Sequence, residues 1–84
     1  MPMNLSELKP GETGIIEQLN VTGEYKRRLM DLGLLPGTPI RMEYTSPLGD
    51  PTAYCVRESV IALRKEQARQ IIIRQMEPVQ EKQG

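Results

Sequence analysis

Tyr25-Lys26-Arg27-Arg28-Leu29-Met30-Asp31-Leu32-Gly33-Leu34-Leu35-Pro36-Gly37 reads as a short helix that is capped, reversed and sent into a strand. Tyr25, Leu29 and Leu32 stand at i, i+4 and i+7, the spacing that stacks side chains on one helical face. Lys26, Arg27 and Asp31 fall on the other side, where Arg27 and Asp31 have the i, i+4 separation of a weak supporting ion pair. Gly33 lies just past the last position of the stripe, where a C-terminal cap requires a left-handed backbone, and Pro36 follows as a stop. Pro36-Gly37 then predicts a turn in which Gly37 takes positive φ.

Met30 stands outside this stripe. At about 100° per residue it points roughly 140° away from Tyr25. Leu34 and Leu35, beyond the cap, do not both easily face inward. Two readings stand for these side chains: ordinary apolar exposure on a small domain, or an apolar patch offered to a partner.

Outward from this stretch the chain alternates short strands with turns. Asn4 to Leu8 predicts one helical turn, with Asn4 as N-cap, Glu7 in capping-box position and Met3 with Leu8 as a hydrophobic staple. Pro10-Gly11 ends it. Thr13 to Val21 predicts the first strand, and Thr22 offers an N-cap for the central helix, with Glu24 in its first turn. From Pro39 to Ser46, Ile40, Met42 and Tyr44 alternate with Arg41, Glu43 and Thr45, a period of two that buries one face. Ser46-Pro47-Leu48-Gly49-Asp50-Pro51 is a loop, and Thr52 to Glu58 is the antiparallel partner that completes a hairpin. Arg57-Glu58-Ser59 turns the chain into the strand Val60–Leu63. Lys65 to Gln70 predicts a helical or 3₁₀ turn, and Ile71-Ile72-Ile73 a last β-branched strand. One domain over 1–75 is expected, followed by a polar tail over 76–84. About five strands, one inserted helix and no βαβ spacing predict a mostly β fold, a small antiparallel barrel whose closure removes exposed edges.

Bulk properties narrow the function. The chain has 84 residues, with 11 basic and 11 acidic side chains and no Phe or Trp. The core must be aliphatic, helped by Met and by Tyr44 and Tyr54. A balanced charge disfavours a nucleic-acid partner, because phosphate neutralisation supplies most of that affinity. The single Cys55 forms no internal disulfide and reads as a small buried residue of a strand. No apolar run reaches the roughly 18–20 residues of a membrane span, and the N-terminus lacks the pattern of a signal peptide. A cytoplasmic domain without direct membrane insertion is expected.

The absence of any His removes the commonest general base and the commonest metal ligand. With one Cys, a structural zinc site is excluded. The carboxylates are spread singly; Glu7, Glu12, Glu17 and Glu24 read as solvated charges, and a weak Mg²⁺ or Ca²⁺ site would need folding to assemble it. The glycines form neither G-x-x-x-x-G-K-[ST] nor G-x-G-x-x-G. Neither an enzyme nor a resident cofactor is expected. Leu48, at the tip of a polar loop, is the feature that turn chemistry leaves unexplained.

Three ordered motifs, Leu29-x-x-Leu32-Gly33-Leu34-x-Pro36-Gly37, Pro47-Leu48-Gly49-Asp50-Pro51 and Ile61-Ala62-Leu63-Arg64, closely resemble the FeoA family of small cytoplasmic proteins of bacterial ferrous-iron uptake. The opening Leu5-Ser6-Glu7-Leu8-Lys9-Pro10-Gly11-Glu12 is similar to that family's usual start, and the resemblance spans about residues 4–75. It implies an SH3-like barrel with the helix inserted after the first strand. It also implies association with the cytosolic GTPase domain of the FeoB iron transporter, and contact with the inner membrane only through that partner. On this reading Tyr25, Arg28, Met30, Leu34, Leu35, Leu48 and Asp50 form the partner surface. The same barrel occurs as the C-terminal domain of iron-dependent repressors resembling DtxR, so the alternative is a regulatory domain that senses metal or binds nucleic acid. The prompt domain start after Met1 argues against that alternative, since a repressor's DNA-binding helices and His-rich metal site have no counterpart here.

Overall fold

The computed structural model describes residues 3–76; apart from Met76, the expected polar tail lies outside the described residues. Strand β1 (Met3–Asn4) leads into a 3₁₀ turn at Leu5–Glu7. Strand β2 (Thr13–Leu19) is followed by helix α1 (Gly23–Asp31), β3 (Pro39–Thr45), β4 (Thr52–Val56) and β5 (Ser59–Leu63). A short helix α2 (Lys65–Ala68) and strand β6 (Ile71–Gln75) complete the chain order. The expected elements are present with ends shifted by a few residues, and one two-residue strand is added at the start.

All six strands join one antiparallel sheet in the order β1-β6-β2-β3-β4-β5. The final strand therefore inserts beside the first long one, and β1 and β5 are left as edges. Closure into a full barrel, the expectation above, does not occur. The sheet instead wraps one aliphatic core in which Leu5, Ile16, Leu29, Leu34, Ile40, Val56, Ile71 and Ile73 are fully enclosed or nearly so. Each such side chain contributes about 1.5–3 kcal/mol when removed from water. Tyr54 bridges the wrap: its ring is buried and its hydroxyl donates to the Leu5 carbonyl at 3.5 Å.

Tyr44 is a correction to the expected core. The pairing of β3 with β4 slips between Met42 and Tyr44, so the period of two is broken there by a bulge. Ile40 and Met42 face the core, and Tyr44 is exposed.

Asn4 caps the 3₁₀ turn as expected, its side chain accepting from the Ser6 backbone N–H at 3.0 Å. Thr22 occupies the N-cap of α1 but makes no side-chain hydrogen bond there. The Arg27–Asp31 ion pair is not formed; the ion pairs among the described residues join Arg41 to Glu43 and Arg74 to Glu17.

Candidate functional site: the exit of the central helix and its groove

The end of α1 determines which side chains the domain displays. Leu32 closes the helix, and Gly33 takes φ +107°, a value that side-chain-bearing residues rarely adopt. The Gly33 N–H donates to the Met30 carbonyl at 3.0 Å and the Leu34 N–H to the Leu29 carbonyl at 3.0 Å. This nested pair of bonds is the Schellman motif, in which the residue after the glycine folds back onto the helix. Leu34 is that residue. It and Leu29 are both buried in the core. Leu34, expected on the partner surface, is therefore a core side chain placed inward by the cap. Leu35 is half-buried. The chain then turns over Leu35–Thr38, with Thr38 N–H donating to Leu35 at 3.0 Å and Gly37 at φ +92°, as the Pro36-Gly37 pair predicts.

The apolar stripe on α1 is real but divides its work. Leu29 reaches the core, Tyr25 is half-buried against it, and Leu32 is 45% exposed. The stripe predicts Leu32 inward with Leu29; as the C-cap residue it instead stands at the groove. Tyr25, Arg28, Leu29 and Leu32 line one side of a groove of about 390 Å³, and Ile61, Ala62 and Leu63 of β5 with Gln67 line the other. The Tyr25 hydroxyl is buried without a hydrogen-bond partner. Burial pushes its pKa above the ordinary tyrosine value, against the smaller opposing effect of Arg28. Met30 lies on the far side of α1 with Lys26 and Arg27 and is half-buried, packing partly onto the core.

The β3–β4 loop is the second display element. Leu48 at its tip is 92% exposed, the most open large apolar side chain among the described residues. Asp50 is engaged within the chain: its Oδ1 accepts from the backbone N–H of Lys65 at 2.8 Å, tying the loop to the start of α2. Its carboxylate thus has a positioning task that local sequence does not reveal, because its partner lies fifteen residues on. Cys55 is half-buried in β4 with a free thiol. No three His, Cys, Asp or Glu side chains lie together among the described residues. No helix among the described residues is long and apolar enough to cross a membrane.

The expected site residues thus do not form one cluster. Tyr25 and Arg28 share the groove, Leu48 and Asp50 the loop, Met30 the opposite helix face and half-buried Leu35 the turn after α1, while Leu34 is interior. Leu32, Ile61 and Ala62, quoted above in separate motifs but not among the expected surface residues, also line the groove. Only the strand order, which makes β5 an edge beside α1, brings them together.

An aliphatic core wrapped by one antiparallel sheet, with a helix between its first long strand and the next, defines a small SH3-like β module. The chain belongs to the FeoA domain family, whose model matches residues 3–75. A fusion protein of Porphyromonas gingivalis (strain ATCC BAA-308 / W83), Fe(2+) transport protein A/Fe(2+) transporter FeoB, is 32% identical over 69 residues. The match takes in 82% of this chain but 8% of the fusion protein. The solution structure of FeoA from Chlorobium tepidum is similar with a TM-score of 0.86 at 30% identity, covering 95% of this chain and 76% of that one. The crystal structure of FeoA from Stenotrophomonas maltophilia complexed with zinc, described as a procaryotic SH3 domain protein, gives 0.74 at 29% identity, over 84% and 88% of the two chains.

Proposed function

We propose that this domain is a non-enzymatic accessory module of ferrous-iron uptake that binds the cytosolic GTPase domain of a FeoB-type transporter. The observation that carries this reading is the relative in which Fe(2+) transport protein A and the transporter FeoB share one polypeptide. Fusion places two domains at a high effective concentration, which favours partners that also meet as separate chains. The display of apolar side chains supports it: Leu48 stands almost fully open on a loop, and Leu32 and Tyr25 flank a groove. A modest interface is built from such residues, an apolar centre within a charged rim.

Within this reading Tyr25, Arg28 and Leu48 make the principal contacts, and half-buried Met30 and Leu35 contribute what they leave exposed. Asp50 holds the loop in position. The work takes place at the cytoplasmic face, with the membrane reached through the transporter.

Calorimetric titration of the domain into the soluble GTPase domain of its own organism's transporter tests this, run with GDP and with a non-hydrolysable GTP analogue. Micromolar binding or better supports the reading, and a difference between nucleotides makes it regulatory. No binding in either state, confirmed by a second method, refutes it. Binding of labelled duplex DNA that falls steeply with salt would favour the repressor-type alternative instead.

A further inference from the structure

Strand β5 is an edge whose hydrogen-bonding direction follows from its hairpin. Arg57 and Glu58 have φ of 52° and 71°, the paired positive values of a two-residue primed turn. Such a turn is closed by a hydrogen-bonded pair, here Val56 with Ser59. Hydrogen-bonded pairs then alternate, so that Tyr54–Ile61 and Thr52–Leu63 also exchange bonds, while Cys55–Val60 and Ala53–Ala62 do not. The N–H and C=O groups of Val60 and Ala62 therefore point away from β4. No other strand pairs with β5, and neither residue makes a backbone hydrogen bond elsewhere among the described residues. Four backbone groups on two alternate residues are presented in the geometry that one further strand would satisfy.

The groove described above meets this edge at Ala62, with α1 as its opposite wall. A helix facing an open strand edge is the arrangement in which an extended peptide adds as a strand, its backbone on the edge and alternate side chains against the helix. The lining supplies specificity. Leu32 offers apolar surface, and the buried Tyr25 hydroxyl lacks a partner. Arg28 is the charged residue of the lining and forms no ion pair among the described residues, although Glu24 and Asp31 stand near it on α1. Arg57 and Arg64, also outside the ion pairs, flank the two ends of β5.

We propose that the groove between β5 and α1 binds an extended segment of a partner protein by strand addition, the segment carrying an apolar side chain toward Leu32 and a carboxylate toward Arg28. This deepens the proposed function and rests on it, since it names the way in which the transporter's cytosolic domain is recognised. The carboxylate requirement follows from an arginine at the groove that pairs with neither neighbouring carboxylate of α1.

The test uses the full chain and the soluble GTPase domain. Amide hydrogen exchange of the wild-type chain is followed with and without that domain, together with calorimetry on Val60→Pro and Arg28→Glu. Val60→Pro deletes an outward N–H on an edge strand, where proline is tolerated, so its melting temperature should stay close to wild type. The expected result is slowed exchange at Val60 and Ala62 on binding. Val60→Pro should raise Kd about tenfold, the size of one lost backbone hydrogen bond. Arg28→Glu should raise it at least as much and flatten the salt dependence. Binding with unchanged exchange at Val60 and Ala62 overturns the strand-addition inference and leaves the transporter reading intact. This wild-type result decides even if Val60→Pro does not fold. Absence of any binding overturns both.

Discussion

Replacing Gly33 with alanine tests the reversal on which the whole arrangement of α1 depends. At φ +107° an L side chain is strained, a cost of about 1–3 kcal/mol for a backbone held in such a region. The added methyl also meets neighbours: a Cβ there would lie 3.3 Å from Val56 Cγ1 and 3.4 Å from Arg57 Cδ. Arg57 is an exposed, flexible side chain and yields, whereas Val56 is fully buried and does not yield easily. Against this, alanine restricts the unfolded chain, a gain of about 0.4–1 kcal/mol. The net expectation is a loss of about 1–2 kcal/mol, which for a domain of this size lowers Tm by roughly 4–16 °C. Gly49→Ala is the internal control, because Gly49 has φ +88° but nothing within 4 Å of its would-be Cβ. It carries the strain without the contact. Thermal and urea unfolding followed by circular dichroism should rank Gly33→Ala below Gly49→Ala and both below wild type. A Gly33→Ala protein as stable as wild type, or more so, would refute the Schellman cap and with it the explanation of why Leu34 is inside.

Leu34→Ala should cost about 2–5 kcal/mol in urea unfolding, as truncation of an enclosed leucine does, whereas Leu48→Ala should change stability by no more than about 0.5 kcal/mol; similar losses at the two positions would contradict the burial assignment. Asp50→Ala should lose about 0.5–1.5 kcal/mol by removing the acceptor for the Lys65 N–H, and Asp50→Asn, which keeps an acceptor oxygen, should recover most of it. The buried Tyr54 hydroxyl has its pKa raised, chiefly by burial, with the Thr52 hydrogen bond opposing and the Asp50 charge adding. Its unfolded counterpart loses its proton first as pH rises, so stability should be level below about pH 10 and fall above it. Tyr54→Phe should blunt that fall in alkaline melts, and an unchanged slope would show that other groups set it.

The backbone plan of the fold was legible because it rests on local chemistry. Asn4 as a cap, Gly33 as a left-handed stop, Pro36-Gly37 as a turn and the Thr52–Val56 hairpin arm each depend on residues within a few positions of one another. What failed depended on distant pairing. Tyr44 was assigned to the core by a period of two, and a bulge opposite Ala53 and Tyr54 reversed it. Closure was assumed because edges are a liability, yet β5 remains an edge. The candidate site shows the same division. Leu48 could be picked out from a polar loop alone, but the groove exists only because β5, sixth in the pairing order, ends the sheet beside a helix formed some thirty residues earlier.

Leu34 and Leu48 make the underlying point about function. They are chemically identical, and both stood out as apolar residues beside glycines. Gly33 precedes Leu34 and bends the chain back along the helix, so the leucine closes the core and, by ending α1 there, leaves Leu32 at the groove. Gly49 follows Leu48 in a loop held at its base by Ser46 N–H donating to Pro51 and from outside by the Asp50 bond to Lys65, so that leucine has no interior to turn toward. Under the proposed function, recognition rests on where the backbone leaves apolar side chains, one arginine and a row of unpaired strand groups, and titration against the transporter's cytosolic domain is the measurement that tests it.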